Sequence, residues 1–238
     1  MHHTRRTTSL PALVMAVAVL AGCQGPVSGG EDGSRAGVSA ASAGGPAEIV
    51  QAGVRSMVVV GDSITAGGES IRGPEVDGEL SWIRSAVGPQ LTFRGGWATG
   101  GATTADMRAA AAPMDADVLV LMGGTNDLVL GRPWEQTRED LLAVADTVGV
   151  DEVLLSAVPP HDDLPEAAVE LNRQLQGLAD EQGWQFVDPW TTASEAGTYR
   201  PGASLDGVHP TQRVAEEAGV AIREALLDGA GSSAQEPG

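Results

Sequence analysis

Apolar residues recur along this chain in two rhythms. Five short runs rich in Val and Leu, at Ser56–Val60, Leu91–Gly95, Val118–Met122, Glu152–Ala157 and Gln185–Asp188, are separated by longer amphipathic stretches. Runs such as Met57-Val58-Val59-Val60 and Val118-Leu119-Val120-Leu121 show no polar alternation, the pattern of strands covered on both faces. The stretches Glu79–Val87, Thr104–Ala112, Trp134–Val148, Pro165–Gln182 and Thr211–Leu227 read as helices. Strand alternating with helix predicts a parallel sheet with helices on either side. Ligands of such sheets bind beyond the carboxyl ends of the strands. Polar residues that directly follow a strand are therefore the first place to look for chemistry.

The two ends of the chain break the rhythm. Residues 1–22 combine a positive start (Arg5, Arg6) with the apolar run Ala12–Ala21, too short to span a bilayer and the right length for a signal peptide. The run ends in Leu20-Ala21-Gly22-Cys23, which resembles a bacterial lipobox. The resemblance implies that Cys23 is lipidated and becomes the first mature residue, anchoring an extracytoplasmic protein to the membrane. Residues 23–47 are Gly, Ser, Ala and Pro with a few charges, and read as a flexible linker with a reach of roughly 25–30 Å. Residues 48–228 form the expected folded domain, and 229–238 repeat the linker composition and read as a disordered tail.

Composition narrows the classes. With 42% hydrophobic and 19% charged residues the chain can build a core, and with 3% aromatics that core must be mainly aliphatic. A formal net charge of −18 and the lack of a basic cluster beyond the first six residues speak against a nucleic-acid partner. Cys23 is the sole cysteine, which removes disulfides and thiolate metal clusters.

Three segments then carry candidate chemistry. The first strand runs into Gly61-Asp62-Ser63-Ile64, placing a serine hydroxyl at a strand's carboxyl end. The third runs into Gly123-Gly124-Thr125-Asn126-Asp127, where the Asn126 side chain offers an N–H donor suited to an oxyanion. Before the last helix stands Asp206-Gly207-Val208-His209-Pro210. Of four histidines two lie in the leader, so His209 and His161 are the candidates for a neutral-pH imidazole base. Asp206, three residues from His209, is placed to accept its Nδ1 proton and fix its tautomer. Each segment alone also fits a turn or a helix cap.

Together, in this order, Gly61-Asp62-Ser63, Gly124-Thr125-Asn126-Asp127 and Asp206-Gly207-Val208-His209-Pro210 resemble blocks I, III and V of the SGNH hydrolases, the GDSL esterases and lipases. The resemblance spans Met57 to Leu227. It implies a three-layer α/β/α, flavodoxin-like fold with a five-stranded parallel sheet in order 2-1-3-4-5, and no cofactor or metal. Ser63 then matches the nucleophile, His209 the general base and Asp206 its orienting acid. The oxyanion hole of the family would fall to the Ser63 backbone N–H, Gly101 N–H and the Asn126 side chain. Block II here reads Thr99-Gly100-Gly101-Ala102-Thr103-Thr104, with Gly100 where the family usually has Ser, so the choice between Gly100 and Gly101 stays open. Gly-x-Ser-x-Gly is absent, which separates the chain from the α/β-hydrolase pattern.

The expected activity is hydrolysis of a carboxylic ester with a short acyl group, such as acetyl on a glycan, by a monomer. The competing readings are a lipid-anchored binding module with the same fold, and an acyltransferase or lysophospholipase of the same family. His161-Asp162-Asp163 reads as a solvated loop at the rim of the crevice rather than a metal site. Trp97 and Trp134 fit a substrate pocket and ordinary packing equally well. The polar loop Ala66–Glu79 follows Ser63 and is placed to touch substrate.

Overall fold

The computed structural model describes residues 53–233. In chain order its elements are β1 (Arg55–Gly61), α1 (Ser63–Ala66), β2 (Ile71–Gly73), α2 (Ile83–Ala86), β3 (Leu91–Ala98), α3 (Thr104–Ala110), β4 (Val118–Met122), α4 (Thr125–Val129), α5 (Trp134–Val148), β5 (Glu152–Ser156), α6 (Pro165–Gln182), β6 (Gln185–Val187), β7 (Ser194–Glu195), β8 (Thr198–Tyr199) and α7 (Gln212–Ser233). The signal peptide, Cys23 and the linker fall outside the described residues, as do 234–238.

The main sheet has the order β2-β3-β1-β4-β5-β6. The five expected strands form its parallel part in the expected sequence, and the expectation of five strands needs one correction. A sixth, β2, pairs antiparallel with the edge of β3. It lies in the segment 66–79, and three residues are too few to show a strand period. Unbroken apolar runs serve both faces of the sheet, as expected of covered strands. Met57, Val59, Val118, Val120 and Leu154 face Trp82, Ile83, Ile222 and Leu226. Their neighbours Val58, Val60, Leu119, Leu121 and Leu155 face Met107, Leu141, Val144 and Leu175. This is the three-layer sandwich.

The helices end where their sequences dictate. In α5 the buried positions Leu141, Val144, Ala145 and Val148 follow helical spacing, and Gly149 closes the helix at φ 71° with its N–H on Ala145 O. In α6, Pro165 starts the helix and Gly183 ends it at φ 69°. The expected helix Glu79–Val87 shrinks to α2, because residues 80 and 81 are bonded instead to α1. Leu80 N donates to Gly67 O, and Ser81 Oγ donates to Thr65 O at 2.6 Å. The last helix extends beyond Leu227 to Ser233, so the stretch from Gly229 to Ser233, expected to be unstructured, belongs to α7.

One glycine decides how close two central strands come. A Cβ on Gly96 would stand 2.4 Å from Val59 O, so β3 can lie against β1 there only without a side chain. Just before it, β3 carries an extra residue opposite β1, with Met57 paired to Phe93 and Val58 to Gly95.

Candidate active site

β1 ends at Gly61 and the chain turns at once into α1, whose first residue is Ser63. Asp62 makes that turn as the helix N-cap, its Oδ1 accepting from Ile64 N at 2.9 Å. Gly67 closes the same short helix at φ 66°, and a Cβ there would lie 1.9 Å from Ser81 N. The segment 78–82 is thereby pressed against α1, and the buried Trp82 adds a bond from Nε1 to Thr65 Oγ1 at 3.2 Å. Trp82 was not singled out in the sequence, since nothing in its local pattern separates it from a core aromatic.

The catalytic candidate loop before α7 is a tight, internally bonded turn. Ser204 Oγ accepts from Gly207 N at 2.7 Å and donates to His209 O at 2.9 Å. Gly207 takes φ 87°, where a side chain is strained, and a Cβ there would stand 3.1 Å from Asp162 Cβ and Oδ2. Asp206 Oδ1 accepts from Val208 N at 3.0 Å and from His209 N at 2.8 Å. Its other oxygen lies 2.8 Å from His209 Nδ1, and His209 Nε2 lies 2.9 Å from Ser63 Oγ. Partial burial works against ionisation of Asp206, but the bonds from His209 and Val208 outweigh it and hold the carboxyl at about 2. At neutral pH Asp206 is therefore an anion. With His209 carrying its proton on Nδ1, Nε2 is free to accept the Ser63 hydroxyl proton.

Blocks II and III meet through Asn126 and Ala102. Gly101 stands at φ 76°, a value that favours glycine, and both Gly100 and Gly101 are exposed. Asn126, in α4, donates from Nδ2 to Ala102 O at 2.9 Å. Its second amide hydrogen has no acceptor among the described residues. Next to it the buried Asp127 accepts from Thr104 N at 2.9 Å and Thr104 Oγ1 at 2.6 Å, fastening the start of α3 to α4.

Asp62 is the other unusual carboxyl. It is fully buried, and burial raises it to about 6 against the opposing bond from Ile64 N and the nearby Thr125 hydroxyl and His209. Asp62 Oδ2 and Thr125 Oγ1 nevertheless lack a full hydrogen-bond partner among the described residues.

Ser63, Ile64, Gly67, Gly68, Leu80, Leu205, Asp206, His209 and Pro210 line a cavity of 220 Å³. The loop after Ser63 thus reaches the site, as expected, through Gly67 and Gly68. A larger groove of 890 Å³ runs over Val76, Arg84, Phe93 and Glu216 but contains no member of the Ser63–His209–Asp206 chain, so chemistry favours the smaller cavity.

His161 departs from expectation. It is 5% exposed rather than solvated, and neither ring nitrogen has a partner among the described residues. His161 alone is buried, Asp162 and Asp163 being exposed as expected, because the loop is stitched to its neighbours: His161 N donates to Gly197 O, Asp162 N to Gly207 O, and Asp162 Oδ1 accepts from Tyr199 N at 2.8 Å. Trp97 and Trp134 lie outside the Ser63 cavity. Both pack against the cluster around Leu121, and Arg72 lies over the Trp97 ring at 5.9 Å. Among the described residues, no group of three His, Cys, Asp or Glu side chains is arranged to hold a metal ion.

A serine, an imidazole and a carboxylate in hydrogen-bonded series at the carboxyl edge of a mostly parallel α/β/α sheet define a serine hydrolase. Residues 59–216 match the GDSL-like lipase/acylhydrolase family, and the chain belongs to it. It acts on ester bonds. No curated protein matches this sequence. Similar solved structures include a G-D-S-L family protein from Desulfitobacterium hafniense, 18% identical over 72% of this chain and 99% of that one, with a TM-score of 0.61. A lipase/acylhydrolase from Enterococcus faecalis is 24% identical over 73% of this chain and 96% of that one, with a TM-score of 0.56. A variant of an acetyl xylan esterase from Geobacillus stearothermophilus is 17% identical over 73% of this chain and 95% of that one, with a TM-score of 0.58. At these identities the likeness is one of fold.

Proposed function

We propose that the protein hydrolyses short-chain carboxylic esters through an acyl-enzyme on Ser63. The observation that carries this reading is the unbroken series Ser63 Oγ, His209 Nε2, His209 Nδ1, Asp206 Oδ2, with steps of 2.9 and 2.8 Å. His209 takes the hydroxyl proton as Ser63 attacks the carbonyl, and returns it to the departing alcohol. Asp206 stabilises the imidazolium formed in between. The charge that develops on the carbonyl oxygen is met by the backbone N–H groups of Ser63 and Gly101 and by Asn126 Nδ2. Water activated by the same imidazole then releases the acid.

Two features favour a small acyl group. The cavity beside Ser63 has 220 Å³, below the usual range for drug-sized ligands, and its walls include Ile64, Leu80, Leu205 and Pro210. A neighbour of the same fold is named an acetyl xylan esterase, and acetyl on a glycan is the substrate class we assign. Aryl esters from acetyl to octanoyl, with acetylated xylo-oligosaccharide beside them, test this. We expect kcat/KM to fall steadily beyond butyryl and acetate to be released from the glycan. A preference for octanoyl overturns the assignment.

We further propose that the mature protein is held at the outer face of a bacterial membrane by a lipid on Cys23, on the strength of Leu20-Ala21-Gly22-Cys23 after an apolar run. Cys23→Ser is expected to shift the protein out of the membrane fraction or to block its processing, with the esterase activity of the domain unchanged. A wild type found wholly in the soluble fraction contradicts anchoring.

A further inference from the structure

Behind Gly101 and Asn126 lies a charged cluster that touches no member of the Ser63–His209–Asp206 chain. Its centre is the Arg132 guanidinium, 20% exposed, which bridges two buried carboxylates. Nη1 donates to Asp127 Oδ1 at 2.9 Å and Nη2 to Asp140 Oδ2 at 2.8 Å. The Arg132 backbone N–H bonds Asp127 O as well, so the residue is held by its main chain and its side chain together. Arg108, on α3, reaches Asp140 Oδ1 at 3.2 Å, and Thr137 Oγ1, on α5, reaches Asp127 Oδ1 at 3.3 Å. Two carboxylates are thus matched by two guanidiniums.

The geometry has a direction. Asp127 follows Asn126 in sequence and accepts two bonds from Thr104, three residues after Gly101. Asn126 Nδ2 in turn holds Ala102 O, the residue after Gly101. The two loops that carry the oxyanion donors are therefore joined to each other by Asn126 and Asp127. Asp127 is joined to α5 through Arg132 and Asp140. A buried ion pair contributes little net stability over apolar packing of the same volume, because desolvating the charges offsets their attraction. It does fix geometry, since a planar guanidinium engaging two carboxylates tolerates little displacement.

We propose that Arg132, held by Asp140, is a positioning residue that sets the separation of Gly101 and Asn126 in the oxyanion hole. This rests on the ester-hydrolysis reading above. Sub-ångström displacement of a donor weakens its bond in the transition state more than in the ground state, where the carbonyl oxygen carries less charge. The effect belongs in kcat, not in KM.

The test uses the full-length enzyme and p-nitrophenyl acetate, with kcat, KM and thermal midpoint measured for wild type, Arg132→Lys, Asp140→Asn, Asn126→Ala and the Arg132→Lys, Asn126→Ala pair. Lysine keeps the charge but not the fork, so Arg132→Lys is expected to fold and to lose about 10- to 100-fold in kcat with KM nearly unchanged. Asp140→Asn keeps the shape and is expected to move kcat the same way by less; it carries the test if Arg132→Lys is insoluble. In the Asn126→Ala background the loss on Arg132→Lys is expected to shrink, because one of the two donors it positions is already gone. A lowered thermal midpoint with unchanged kcat, a rise confined to KM, or full additivity of the pair overturns the positioning role. A wild type without turnover overturns the ester reading and this inference with it, whereas an active wild type with unaffected variants overturns this inference alone.

Discussion

At Ser63 the backbone passes from strand to helix, and the residue before it carries a buried carboxyl oxygen without a full hydrogen-bond partner among the described residues. Burial holds Asp62 at about 6, above its ordinary 3.8. Between about pH 4 and 6 the folded chain keeps a proton that the unfolded chain has lost, so stability falls as pH rises through that window and stays lower above it. Asp62→Asn keeps the acceptor for Ile64 N and adds an amide donor beside the Thr125 hydroxyl. We expect it to remove that slope and to raise stability at pH 8 by on the order of 2 kcal/mol, measured by urea unfolding at pH 5 and pH 8. An unchanged difference between the two pH values contradicts the account of Asp62. Asp206 has the opposite sign: held at about 2, it adds stability above its ordinary 3.8 that is lost as pH falls towards 2. More than half of its side chain is exposed, so that contribution is small. The meeting of Ser63, His209 and Asp206 is legible because Ser63 follows a strand directly and the other two share one turn. Arg132 is not, since an arginine in a loop looks like a solvated charge until α3 and α5 pack. Thr137 and Asp140, polar residues on the apolar face of α5, were the available signal.

Among the elements, the five parallel strands were legible because their apolar runs serve two covered faces. α1, α4 and β2 were not, because three to five residues show no period and their positions are set by tertiary contacts. α1 is the clearest case, being closed by Gly67 and clamped by Ser81 and Trp82. Gly67→Ala puts a Cβ into Ser81 N and strains a left-handed residue. We expect a loss of about 2 kcal/mol or more in stability, together with a lower kcat because the Ser63 turn shifts with the 78–82 segment. Calorimetry beside steady-state kinetics checks both, and a variant with wild-type midpoint and kcat shows that the clamp does not hold the nucleophile. The burial of His161 is not legible for a related reason: its local sequence is polar, and only the packing of the β5–α6 loop against Gly197 and Gly207 buries it.

For the molecule as a whole, the net charge of −18 and the scarcity of aromatics describe an acidic, aliphatic-cored domain rather than a reaction. The reaction follows from the Ser63 and Asp206–His209 turns that the fold brings together, and the cavity beside them supports the small acyl group we propose. The central claim is that Ser63 Oγ is the atom that becomes acylated. A fluorophosphonate probe followed by peptide mass spectrometry measures this most directly. We predict a single adduct on the peptide bearing Ser63, none on Ser63→Ala, and labelling of His209→Ala slowed by at least about 1000-fold, since nucleophile and base act as a unit. Asp206→Asn should slow labelling less than His209→Ala. An adduct on another residue, or labelling of Ser63→Ala at the wild-type rate, would contradict it.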